Sequence, residues 1–181
     1  SKGGARTTIS RRAVSVRTFT AWAARKGILP TDVGDRLATP RGHRTLPHVL
    51  TIAEATEVFD SLELAAGEEQ TPLALRNIAL VELLYATGIR VSEACGMDLA
   101  DIDRNRNTVR VFGKGRKERT CPIGAPALLA IDKWINQARS ELIASNSGSA
   151  LFLGSRGKRI DQRTVRTVVY NALQAIEGIE R

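Results

Sequence analysis

Residues 83–124 read LLYATGIRVSEACGMDLADIDRNRNTVRVFGKGRKERTCPIG. The stretch parses as the end of an apolar helix, a glycine break, a short helix opening on Arg90, and a basic β-hairpin. Gly88 can take the left-handed conformation that a helix end often requires, so it closes the first helix. Arg90 follows two residues later. Backbone N–H groups gather at a helix start and favour an anion there. An arginine beside them adds a planar fork that can grip two phosphate oxygens.

The hairpin follows from residue type. Thr108–Phe112 is rich in β-branched and aromatic residues, and Glu118–Cys121 can return beside it with Pro122 closing the second strand. The loop, residues 113–117, has two glycines to turn the chain and three cations, Lys114, Arg116 and Lys117. Taken alone, such a loop is a solvated charged turn. It is not a nucleotide-binding P-loop, because it lacks that motif's glycine spacing and the Ser or Thr after the lysine.

Together, ATGIRVSE and GKGRKER closely resemble the tyrosine recombinase (phage integrase-like) family, and within it the bacterial Xer recombinases. The resemblance extends from the helix at Thr8–Lys26 to the last residues. It implies that Arg90 binds the scissile DNA phosphate, that Glu93 supports the site, and that Lys114 acts as general acid on the leaving 5′-hydroxyl, with Lys117 as the fallback. Candidate DNA contacts are Lys117, Arg116 and Arg119 of the hairpin, Arg11 and Arg12 of the first helix, and Arg44 of the linker. The resemblance further implies a duplex recombination site as substrate and a tetramer containing a second Xer subunit. A septal DNA translocase would activate it, with chromosome-dimer resolution at cell division as the role. The family needs no metal and no nucleotide cofactor.

Composition is consistent with this. The chain has 181 residues, with 27 basic against 19 acidic side chains and a net charge of +8. That balance favours a polyanionic partner. Aromatic residues are few, which argues against a base-stacking reader of single strands. No apolar run approaches membrane-spanning length and no secretory segment is visible. A cytoplasmic protein is expected, with Cys95 and Cys121 as reduced thiols. With only His43 and His48 as imidazoles, no metal site is expected.

The expected fold is mainly α with a small antiparallel β-hairpin or sheet (α+β). Residues 1–38 are expected to be the end of an all-α core-binding domain, 39–50 a linker, and 51–181 the N-terminal part of the catalytic domain. Thr7-Thr8 can cap a first helix with Ile9, Ala13, Val16, Phe19 and Ala23 on one face. Arg6, Arg11, Arg12 and Arg17 on it are either phosphate contacts or a solvated face. Thr51-Ile-Ala-Glu54 is a capping box opening a helix with Ile52, Ala55, Val58, Phe59 and Leu62 buried. Thr71-Pro72 starts the next helix, apolar on nearly all sides and therefore central. Pro126 opens a long helix through Leu142 with Trp134 packed in it. Residues 145–149 are expected to be a flexible loop, 150–153 a strand, and Asp161 the cap of a last helix ended by Gly178.

The chain departs from its family at the far end. No His-x-x-Arg motif and no later tyrosine is present. Tyr85 and Tyr170 are the only tyrosines, and both are expected to pack in helices. The chain therefore reads as part of a longer recombinase. A phage or transposon integrase, or a DNA-binding module without catalysis, remains the alternative.

Overall fold

The computed structural model describes residues 6–38, 49–67, 71–113, 115 and 117–174. The chain divides into two compact units, Ser1–His48 and Val49–Arg181. The expected linker lies almost wholly outside the described residues.

The first unit is built on α1, Arg6–Arg25. Thr7 and Thr8, expected as caps, lie inside this helix. It ends at Gly27, whose φ of 72° lets Ile28 N–H donate back to Ala23 O at 2.9 Å. The chain then folds back until Gly34 lies against the Thr20 hydroxyl, so close that a Cβ at Gly34 would overlap it. Ala13, Thr20 and Ala23 are buried, whereas Ile9, Val16 and Phe19 of the expected buried face are exposed. One helix with a short return covers only its small residues.

The second unit surrounds α3, Pro72–Thr87. Thr51 and Glu54 form the expected capping box at the start of α2, Ile52–Ala66. Ala55 and Val58 of α2 are buried, but Ile52 is exposed because it sits in the uncovered first turn. Leu75, Ala79, Leu80 and Leu83 make α3 the centre of the core. Gly88 ends α3 with φ 61° and its N–H donating to Leu84 O at 2.9 Å. Next come α4, Val91–Gly96, and a three-stranded antiparallel sheet of β1 (Ile102–Asp103), β2 (Thr108–Phe112) and β3 (Glu118–Pro122). The edge strand β1 adds to the hairpin expected from sequence. Val109 and Val111 are buried, so β2 turns alternate residues inward.

The expected long helix after the sheet is interrupted. It runs as α5, Ala125–Lys133, then a π-helical turn, Trp134–Ala138, then a 3₁₀ turn, Arg139–Leu142. In a continuous α-helix Trp134 and Arg139 would point about 140° apart. The wider turn closes with Arg139 N–H on Trp134 O and stacks one residue over the other. Both side chains then reach the same segment. Trp134 Nε1 donates to Leu151 O at 2.9 Å, and Arg139 Nη2 donates to Ala150 O at 2.7 Å. Arg76 of α3 donates to Leu153 O at 3.0 Å.

These bonds explain why residues 150–153 are not the expected strand. The carbonyls of Ala150, Leu151 and Leu153 are taken by buried side chains and that of Phe152 by Ile160 N–H, leaving only isolated bridges of Ala150 to Asp98 and Leu153 to Arg159. The expected loop at 145–149 is pinned as well. Ser147 is buried, its hydroxyl accepting from Ala144 N–H at 2.8 Å and donating to Gly157 O at 2.6 Å. Asp161 caps α6, Gln162–Leu173, as expected. The helix end expected at Gly178 lies outside the described residues.

Gly157 is a point where this arrangement admits no side chain. Its φ is +76°, and a Cβ would lie 2.5 Å from Ala144 Cβ and 2.6 Å from Leu142 O. Gly148, at φ +53°, has nothing within 4 Å of that position. Gly148→Ala should therefore cost about 1–2 kcal/mol from backbone conformation alone. Gly157→Ala should cost roughly 2–5 kcal/mol, because overpacking adds to the same penalty. Denaturant unfolding of the two variants checks the difference.

Candidate active site and nucleic-acid interface

The site is assembled from the end of α3, the start of α4 and the inner face of the hairpin. Gly88 turns the chain, Ile89 is buried as an anchor, and Arg90 stands at the head of α4 with its side chain 74% exposed. Three residues on, Glu93 points back under it with only 4% of its side chain exposed. Its Oε2 accepts the Arg90 backbone N–H at 2.8 Å, and its Oε1 accepts Arg90 Nη1 at 3.1 Å. The anion that the start of α4 holds is therefore this chain's own carboxylate.

The second cation on Glu93 comes from the hairpin. Arg119 of β3 pairs across the sheet with Val111 of β2, and directly opposed residues share a face. Val111 faces inward, so Arg119 does too. Its guanidinium is bidentate on Glu93, with Nη1 to Oε1 at 2.8 Å and Nη2 to Oε2 at 2.7 Å. Arg119 was expected among the DNA contacts, and its two terminal nitrogens are each committed to Glu93. Sequence alone does not reveal this pairing, because the inward face of β3 is set by its register against β2.

Gly113, the first residue of the hairpin loop, completes the cluster. A Cβ there would touch Arg119 Nη1 at 3.5 Å and Glu93 Oε1 at 3.6 Å. The hairpin loop thus leaves the sheet beside the Arg90–Glu93–Arg119 cluster. Lys114 and Arg116 follow in sequence and lie outside the described residues, as does Arg44. Lys117 is exposed, and its carbonyl accepts Gly113 N–H at 2.8 Å. Arg11 and Arg12 are exposed on α1 in the other unit and flank a shallow groove with Thr8, Ser15 and Val16.

The tyrosines are less buried than expected. Tyr85 is 54% exposed, although its ring meets Phe59 edge-on with centroids 5.5 Å apart. Tyr170, on α6, is 45% exposed. The far end of α4 is fixed by Arg159, which donates to Met97 O at 2.8 Å and to the Asp98 carboxylate. The basic turn 154–158 also leads into α6, whose exposed Arg163 and Arg166 add to the positive surface. Among the described residues no group of His, Cys, Asp and Glu could hold a metal ion, and no helix is long and apolar enough to cross a membrane.

The comparisons agree with this geometry. Residues 50–181 match the model of the Phage integrase family. The tyrosine recombinase XerC of Mycobacterium sp. (strain KMS) is 48% identical over 176 residues, covering 97% of this chain and 58% of the relative. Tyrosine recombinase XerC of Mycobacterium tuberculosis (strain CDC 1551 / Oshkosh) is 49% identical, covering 97% of this chain and 59% of the relative. Among solved structures, XerA recombinase superposes with a TM-score of 0.59 at 20% identity, over 95% of this chain and 56% of that one. The Tn1549 transposon integrase (aa 82–397), solved in complex with circular intermediate DNA, gives 0.71 at 17% identity, over 99% and 62%. The chain belongs to the phage integrase family of tyrosine recombinases. It spans less than two thirds of the length of these mycobacterial relatives.

The Glu93 carboxyl is held down at about 2, below the 4.5 usual for a glutamate. The largest cause is the Arg119 hydrogen bond, opposed by burial and reinforced by the Arg90 backbone and side-chain hydrogen bonds. A depressed carboxylate contributes stability that is present above its unfolded pKa and lost as pH falls through its folded one. The window is thus about 4.5 down to about 2, and the contribution is at most about 3 kcal/mol. Acid unfolding of the parent and of Glu93→Gln should converge across this window and separate above it.

Proposed function

We propose that this chain is the DNA-binding and phosphate-activating part of a site-specific tyrosine recombinase of the Xer type. In this reading residues 1–38 end a helical core-binding domain, 39–50 are a linker, and 51–181 begin the catalytic domain. The observation that carries the reading is Arg90: a mostly exposed guanidinium held by a buried carboxylate, which itself lies beside the glycine that leads into the Lys114 loop.

The chemistry matches that arrangement. A tyrosine of the complete recombinase attacks a DNA phosphorus, the bond to the 5′-oxygen breaks, and a 3′-phosphotyrosyl link holds the strand. Negative charge builds on the non-bridging oxygens and on the departing oxygen. Fixed cations that need no reorganisation supply much of the stabilisation. Arg90 neutralises the non-bridging oxygens, while Glu93 fixes its backbone and one of its nitrogens. Lys114 delivers a proton to the leaving oxygen. The energy of the broken bond is kept in the phosphotyrosyl link, so neither a nucleotide cofactor nor a metal enters.

Lys117, Arg116, Arg11, Arg12 and Arg44 then serve as contacts to the duplex backbone. The assembly is a tetramer on two paired DNA sites with a second Xer subunit. Activation comes from a septal translocase, in the cytoplasm, and the product is a resolved chromosome dimer. The support for this wider role is the likeness to XerC relatives over 97% of the chain.

The chain alone should bind duplex DNA with an affinity that drops steeply with salt, as released counterions require. In a complete recombinase carrying it, Arg90→Lys keeps the charge and loses the fork. Cleavage should fall roughly 100-fold or more while duplex binding survives. Cleavage within a few-fold of the parent would remove Arg90 from the site.

Lys114 is separable from a simple phosphate contact. Acid catalysis is worth roughly two to four decades in rate when the leaving group is an alkoxide. A sulfur at the bridging 5′ position leaves as a thiolate without a proton, because thiols are far more acidic than alcohols. Lys114→Ala should therefore fail on ordinary DNA and recover on the 5′-phosphorothiolate, whereas Arg90→Ala should not recover. Rescue of Lys117→Ala with Lys114→Ala still inactive would move the role to Lys117.

A further inference from the structure

Four hydrogen bonds converge on the Glu93 carboxylate, and they are unequally shared. Arg90 gives its backbone N–H and a single Nη1 contact at 3.1 Å, whereas Arg119 covers both oxygens at 2.8 and 2.7 Å. We propose that Arg119 is a positioning residue: by occupying both oxygens of Glu93 it restricts Arg90 to one contact and leaves the charge and remaining donors of Arg90 for a DNA phosphate. The inference rests on the reading of Arg90 as the phosphate-binding residue.

The argument is one of charge and geometry. A carboxylate between two guanidinium groups leaves one net positive charge at the site. Without Arg119, the Arg90–Glu93 pair is neutral and offers a phosphate little attraction. The carboxylate would also have acceptor sites vacated beside an arginine whose fork fits both oxygens. Arg90, with a mostly exposed side chain, would turn inward to fill them. Arg119 cannot exchange roles with it. Its position opposite Val111 sets it on the inner face of the sheet, and its guanidinium lies under Gly113. The charged groups acting on Glu93 are Arg119 from β3 and Arg90 from the head of its own helix.

The test uses a complete recombinase carrying this chain. Arg119→Met, Arg119→Lys, Glu93→Gln, the Glu93→Gln/Arg119→Met pair and Arg90→Ala are each measured for duplex affinity across salt, single-turnover cleavage and thermal stability. Arg119→Met should weaken duplex binding and lower the salt slope by no more than Arg90→Ala does, and cleave roughly 10- to 100-fold more slowly. Arg119→Lys, able to cover one oxygen only, should fall between the two. With Glu93→Gln in place, adding Arg119→Met should cost less than about 3-fold, because no carboxylate remains to draw Arg90 in.

Cleavage by both Arg119 variants within about 3-fold of the parent would overturn the proposal. So would a salt slope lowered by about one when Arg119→Met is added to Glu93→Gln, which marks a direct phosphate contact of Arg119. Losses that simply add in the paired variant would reduce Arg119 to a structural residue. If Arg119→Met does not fold, Arg119→Lys, which keeps a cation, and the paired variant, which removes both charges, decide the same comparisons. Arg90→Ala separates the two levels. Cleavage retained by Arg90→Ala removes the reading of Arg90 and the proposal with it. Collapse of Arg90→Ala beside unaffected Arg119 variants overturns the proposal alone.

Discussion

A helix that is apolar on nearly every side must be covered on every side, and α3 imposes that constraint on the second unit. Leu75, Ala79, Leu80 and Leu83 require neighbours in different directions. Here α2, α5, α6 and the segment 150–153 supply them. Arg76, buried in this core, donates to the Leu153 carbonyl and to the Asn77 side chain. Burial pushes its pKa down, as it does for Arg139. Both arginines serve as hydrogen-bond forks that replace a missing strand partner for the 150–153 carbonyls. The core is thereby closed by side-chain donors where a sheet would have used backbone.

The Arg90–Glu93–Arg119 cluster rests on that base. Once α3 is fixed, Gly88 sets the direction of α4, and α4 sets Glu93 beneath Arg90. The sheet then delivers Arg119 from the opposite side. The two halves of the site come from elements separated by the whole length of β1 and β2. The contact that joins them is a buried carboxylate held between two partly exposed arginines rather than an apolar seam. Buried charge of this kind is sustained only when every acceptor is filled, and here both oxygens are used twice.

Local grammar made much of this legible beforehand. Thr51 with Glu54, Thr71 with Pro72, Gly88, the strands around residues 113–117, and Asp161 all act where their chemistry says they should. What escaped was set by long-range pairing. The π-helical turn at Trp134 follows from two side chains reaching for carbonyls of residues 150 and 151, which no window around residue 134 reveals. The strand expected at 150–153 failed for the same reason. Arg119 looked like one more cation in a basic hairpin, because the inward face of β3 is defined only by its register against β2. The exposed Phe19 and Val16 of α1 show the converse: an apolar stripe predicts a buried face only when a second surface exists to bury it.

The register has a consequence for how the hairpin can change. Side-chain direction alternates along a strand, so a one-residue slip in β3 would turn Arg119 to solvent and bring Glu118 or Thr120 toward Glu93. Glu118 would set carboxylate against carboxylate. The loop obeys no such parity, since its five residues, 113–117, need only leave and rejoin the strands. A change of length between the strands leaves that parity intact, while the stem must keep its count.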